Sequence, residues 1–215
     1  MALPLRLIVG LGNPGRNYAA TRHNAGAWFV ERLARALGLH FALEGRFHSR
    51  IARERAAAGG DLRLVLPQDY MNESGYAVAA LARFYRLSQP EILVAHDELD
   101  LKPGSVKLKL GGGSAGHNGL KDIMEKIGGG EFWRLRLGIG HPRDAAPAAQ
   151  EVVDYVLQPP RSEESPLIDD AIGRALAVWP RLASGDIERA MHELHTRPSK
   201  DKAPGAPADE RGPAQ

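Results

Sequence analysis

Two rhythms of apolar residues alternate along the chain, and together they predict a layered α/β molecule. Leu5 to Leu11 (LRLIVGL) is a short apolar run interrupted by glycine, suited to a buried strand. Trp28, Phe29, Leu33, Ala36 and Leu37 then recur at helical spacing, which predicts a helix from about Asn24 to Leu37, stopped by Gly38. Arg46 to Ala57 and Leu62 to Leu66 read as strands around a Gly59-Gly60 turn, and helical patterning returns from Ser74 to Tyr85. Glu91 to His96 (EILVAH) is a further strand. Val106 to Leu110 and Arg134 to Ile139 alternate basic and apolar residues, the mark of strands with one exposed face. Leu120 to Ile127, Leu167 to Trp179 and Ile187 to His195 suit helices. Strands and helices interleaved in this way predict a single α/β domain over residues 1–195. Its central sheet is largely parallel or mixed and is covered by helices on both faces. Beyond it, residues 196–215 are rich in Pro, Ala, Gly and charge and hold no large apolar residue, the composition of a disordered tail.

Composition narrows the chemistry. The chain of 215 residues contains no cysteine, so disulfides, thiolate metal sites and cysteine nucleophiles are excluded, and a reducing cytosol fits. The opening MALPLRLIVGLGNPG is apolar over too few residues to span a membrane and lacks a secretory cleavage pattern, so a cytoplasmic protein is expected. A net charge of +2 says little, but its distribution says more. From Lys102 to Arg143 eight Lys/Arg face three Asp/Glu, and eleven of the 24 glycines lie between Leu101 and Gly140. Such a stretch can bring backbone and cations close to a phosphate, although a solvated surface beside turns has the same composition.

Several polar residues stand where strands end. Gly10, Gly12 and Gly15 match the spacing of a dinucleotide-binding turn, but Pro14 makes Asn13-Pro-Gly a turn of its own, and no helix opens at the glycines. The acidic residue expected at the end of a second strand is also missing, which counts against a nucleotide cofactor. His23 precedes the first long helix, and Asp97 follows the strand ending at His96. If the two meet, the carboxylate fixes one imidazole nitrogen and leaves the other free as a base; otherwise they are a helix-start residue and a turn former. Asn13, Asn72 and Asn118 sit in similar turns, where an amide can hold a backbone, an ester carbonyl or a water, or can simply cap a turn. His192 and His195 have i, i+3 spacing, which is not that of a zinc protease helix.

These segments together resemble the bacterial peptidyl-tRNA hydrolase family. The resemblance is carried by IVGLGNPGRNYAATRHNAGAWFVERLA, by LPQDYMNESGYAVA, by ILVAHDELDLKPGSVKLKLGGGSAGHNGLKDI and by FWRLRLGIGHP, in order across about residues 5 to 195. It implies a monomeric α/β enzyme with a mixed, twisted sheet, needing no metal, no cofactor and no obligate protein partner. Its substrate would be a peptide esterified to the terminal adenosine of tRNA. Carried over residue by residue, His23 resembles the base that takes a proton from water, and Asp97 its orienting partner. Asn13 and Asn72 resemble groups that place the peptidyl part, and Asn118 one that holds the water or the carbonyl oxygen. Tyr18 and Met71 resemble walls of the site, and Lys107, Lys109 and Arg136 fall where the family grips the tRNA phosphate. The chain departs from the family pattern at Ser114-Ala115, where the family's GGGHGGHNG reads GGGSAGHNG. Two competing readings are an RNA-binding module without catalysis, which would not need His23 and Asp97, and a nucleotide-dependent oxidoreductase built on Gly10 to Gly15.

Overall fold

Strand β1 (Leu7–Gly10) is buried along its whole length because it lies at the centre of a seven-stranded sheet. The computed structural model describes residues 4–55, 61–144 and 151–196; the anticipated Gly59-Gly60 turn and the chain beyond residue 196 lie outside them. The other strands are β2 (Ala42–Glu44), β3 (Ser49–Glu54), β4 (Leu62–Pro67), β5 (Ile92–Glu98), β6 (Val106–Leu110) and β7 (Trp133–Gly138). Their order in the sheet is β2-β3-β4-β1-β5-β7-β6. The four central strands are parallel, and β2, β3 and β6 run antiparallel to their neighbours, so the sheet is mixed.

Helices cover both faces, as an α/β sheet with apolar residues on each side requires. On one face α1 (Ala25–Ala36) packs Phe29, Val30 and Leu33 against Ile8, Leu64 and Leu93. It is joined there by α5 (Ser165–Ala177), α6 (Trp179–Ala183) and α7 (Ile187–His195). On the other face α2 (Ser74–Tyr85) and α3 (Asn118–Ile127) set Val78, Leu81, Leu120 and Ile123 over Leu7, Val9 and Val94. Of the glycines with dinucleotide spacing, Gly10 and Gly12 serve this packing. A Cβ on Gly10 would stand 2.7 Å from the Gly26 carbonyl oxygen, and one on Gly26 would stand 2.1 Å from that of Ala95. Only glycine lets α1 lie this close to the strands.

Several boundaries differ from those the spacing predicts, each for a local reason. The strand expected from Arg46 begins only at Ser49, because Gly45–Phe47 forms a 3-10 turn and His48 takes a positive φ of 48°. The helix expected across Leu167 to Trp179 is broken into α5 and α6, where Pro180 removes a backbone donor. The two basic strands are not alike. β6 is an edge strand with Lys107 and Lys109 exposed, whereas β7 lies inside the sheet and buries Arg134 to 3% exposure. The Arg134 Nη1 and Nη2 donate to the carbonyls of Gly112, Gly113 and Gly130. The outer edge of β6 is covered by α7, whose His195 Nε2 accepts from the Leu108 amide at 3.0 Å. His195 thus serves the sheet, away from His192.

Candidate active site

The carboxyl ends of β1, β4 and β5 open into a cleft of about 550 Å³, the place where α/β sheets hold their ligands. Asn13, Tyr18, His23, Met71, Asn72, Asp97 and Asn118 all line it. Asp97 was expected just past its strand; β5 continues through Glu98, so the carboxylate projects from the sheet itself and is 4% exposed. His23 lies in a 3-10 turn, Arg22–Asn24, that leads into α1.

His23 Nδ1 stands 3.0 and 3.1 Å from the two oxygens of Asp97. With Nδ1 donating to the carboxylate, Nε2 is the nitrogen left open to the cleft. Burial alone would lower the imidazole pKa, but the charge and hydrogen bond of Asp97 outweigh it and raise the value above 6.5. Burial alone would raise the pKa of Asp97. The imidazoles of His23 and His117, through charge and hydrogen bonds, hold it well below the usual carboxylate range instead.

His117 was not expected in this role. It caps α3, its Nδ1 accepting from the Leu120 amide at 3.4 Å, while Nε2 donates to Asp97 Oδ1 at 3.0 Å. His96 is fully neutral: burial, and next the neighbouring His117, push its pKa to about 3, and its Nδ1 donates to the Asp97 carbonyl at 2.7 Å. Among the described residues, His23, Asp97 and His117 are a set whose ligand atoms, all within 4.8 Å, could hold a metal ion. The Leu120 bond, however, puts the ring proton of His117 on Nε2, so this edge meets Asp97 as a donor with no lone pair to offer a metal.

Asn13 is fixed by Asn24, a partner with no signature in the sequence. Its backbone amide donates to Asn24 Oδ1 at 2.9 Å, and Asn24 Nδ2 returns a bond to the Asn13 carbonyl at 3.0 Å. Asn13 Oδ1 accepts from the Met71 amide at 2.8 Å, so its side-chain NH2 remains as a donor. Asn72 and Asn118 are exposed, the latter as the first residue of α3. Tyr18 meets Tyr70 edge-on, with ring centroids 6.3 Å apart. The far wall is apolar and also unforeseen: a single helical turn, α4 (Val152–Val156), contributes Val152, Val153 and Val156, followed by Leu157.

Lys107, Lys109 and Arg136 are not part of the cleft lining. Register sets Lys107 opposite Arg136 and Lys109 opposite Arg134, so the four cations share one face of β6 and β7. Arg136 Nε is bound to the buried Glu98 at 2.8 Å, and Glu98 itself forms part of the cleft wall. Gly112 to Gly116 also spells the G-x-S-x-G of serine hydrolases. Ser114 lines the cleft, but it follows an antiparallel edge strand, and α3 begins only at Asn118. The described residues provide no imidazole hydrogen-bonded to its hydroxyl, unlike a serine nucleophile with its base. Ala115 beside it has a positive φ of 46°, a conformation that suits the glycine of the family pattern.

A histidine–carboxylate pair at the strand ends of an α/β sheet, facing a cleft lined with amides, is an arrangement that suits a hydrolase. Comparison with known proteins is specific about which one. The family model for peptidyl-tRNA hydrolase matches residues 7–203. The peptidyl-tRNA hydrolase of Azoarcus sp. (strain BH72) is 56% identical over 92% of this chain and 88% of its own length. That of Nitrosospira multiformis is 58% identical over 90% and 98%. A crystal structure of peptidyl-tRNA hydrolase from Acinetobacter baumannii superposes with a TM-score of 0.82 at 46% identity, covering 89% of this chain and 94% of that one. The chain belongs to the peptidyl-tRNA hydrolase family and is a hydrolase of ester bonds.

Proposed function

We propose that this chain cleaves the ester between a peptide and the terminal ribose of tRNA, with His23 as the general base. The observation that carries the proposal is the pairing of His23 Nδ1 with both oxygens of Asp97, which turns Nε2 toward the cleft. In the attack, Nε2 takes a proton from water as the water oxygen bonds to the ester carbonyl carbon. Asp97 supports the imidazolium that forms. The Asn13 and Asn118 amides donate toward the developing oxyanion, at little desolvation cost because they are neutral. The imidazolium then returns its proton to the departing ribose oxygen, which regenerates the base. Asn72, Tyr18 and Met71 position the peptidyl part, and Lys107, Lys109 and Arg136 hold a tRNA phosphate. An ester is activated enough for these groups to suffice without metal or cofactor. The enzyme works as a monomer in the cytoplasm; no helix among the described residues is long and apolar enough to cross a membrane.

Release of peptide from a short peptidyl-tRNA by the purified full chain, with and without chelator, tests the reading. Turnover should be indifferent to the chelator. His23→Ala should slow it by roughly 10²-fold or more while tRNA binding persists. A folded His23→Ala protein that turns over near the parental rate would remove His23 from the mechanism.

A further inference from the structure

The residue before His23 is one of the most heavily bonded in the molecule. The Arg22 side chain is 2% exposed. Its backbone amide donates to the Gln158 carbonyl at 3.0 Å, and its Nη1 to the carbonyls of Tyr155 and Gln158 at 3.1 and 3.3 Å. Its Nη2 meets Glu164 Oε2 at 2.6 Å, and its guanidinium carbon lies 4.1 Å over the Tyr155 ring. The Tyr155 hydroxyl in turn donates to the Ile139 carbonyl, just beyond β7, at 2.7 Å. One buried cation therefore ties the turn bearing the base to the last turn of α4 and to the residue that opens α5.

This placement matters because α4 is not secured by its own length. Five residues make too short a helix to hold itself, and Val152 and Val153 spend their apolar surface on the cleft, where Val153 is 62% exposed. Tyr155 and Val156 do reach the core, but the carbonyls at the end of the turn find their side-chain donor in Arg22. We infer that Arg22, with Glu164, is a positioning residue: it sets where the apolar α4 wall stands relative to His23, and so how well the cleft receives the peptidyl end of the substrate. Arg22 touches neither water nor ester. Its effect on the reaction passes through α4. The inference rests on the cleft being the peptidyl site, as proposed above.

The test uses Arg22→Lys and Glu164→Gln in the full chain. The first keeps the charge but gives up the forked donors, and the second keeps an acceptor but gives up the charge. With a dipeptidyl-tRNA as substrate, each should raise KM on the order of tenfold and lower kcat by less than about twofold, the signature of lost binding. The pH at which the rate rises should not move, because the His23–Asp97 pair is untouched. Arg22→Ala should show a larger KM effect if it folds, and the two milder variants decide the matter if it does not. A lowered melting temperature with KM unchanged would make Arg22 a purely structural residue. A displaced pH profile would mean that it acts on His23 directly. Either result overturns the inference. Parental enzyme without any peptidyl-tRNA hydrolysis would instead refute the underlying function and with it the inference, a failure distinguishable from the other two.

Discussion

Asp97 accepts from two imidazoles at once, and its own burial makes those bonds count for more than they would in water. The base form of His23 is the neutral ring, so a pKa raised above 6.5 places the rising limb of the rate on the alkaline side of an ordinary histidine. In Asp97→Asn the acceptor remains but the charge is gone, and the desolvation that lowers the His23 pKa is no longer opposed. The limb should therefore move to lower pH, while kcat falls by roughly ten- to a hundredfold because the imidazolium loses its counter-charge. Rate against pH for the purified variant checks both signs together. A limb displaced to higher pH would contradict the account.

The paired strands β6 and β7 carry cations that look equivalent in sequence and are not. Lys107 and Lys109 are exposed and Arg136 meets Glu98 through Nε, while Arg134 is spent on loop carbonyls. Lys109→Gln should thus raise KM for peptidyl-tRNA more than it lowers kcat, and should weaken the salt dependence of binding by about 0.7 in log–log slope for one single-strand contact. Arg134→Gln should lower the melting temperature without changing that slope, because it strips the donors from Gly112, Gly113 and Gly130. Equal slopes in parent and Lys109→Gln would take this lysine out of the interface. The contrast also marks where sequence reading stops. Runs such as LRLIVGL and EILVAH declare strands by periodicity, and motif order brings His23, Asp97 and the three asparagines to one site. Arg22 meets its partners across 133 to 142 residues, Asn24 meets Asn13 through a reciprocal amide pair, and VVDYV is too short to show a helical period. Contacts of that kind leave no repeat in the sequence, and a buried arginine is spelled like an exposed one.

The molecule as a whole depends on α5, α6 and α7. Nine of the thirty buried residues in the larger core cluster come from α5, α6 and α7, and a tenth, Val178, joins α5 to α6. Burying each large aliphatic side chain contributes about 1.5–3 kcal/mol, while net stability is typically about 5–15 kcal/mol. A chain ended at Pro166 should therefore show no cooperative thermal transition by circular dichroism; a parental melt would mean that these helices are an appendage.

The sheet order has a consequence for how the enzyme comes into being. β6 is synthesised before β7 but stands outside it, so residues 106–110 have no partner until residues 133–138 slide in beside β5. Until then a growing copy displays the bare flank of β5, and β6 gains the His195 acceptor only when α7 has left the ribosome. A copy whose translation halts before that point is an unfinished sheet that is still esterified to its own tRNA. That ester is the kind of bond its own family hydrolyses.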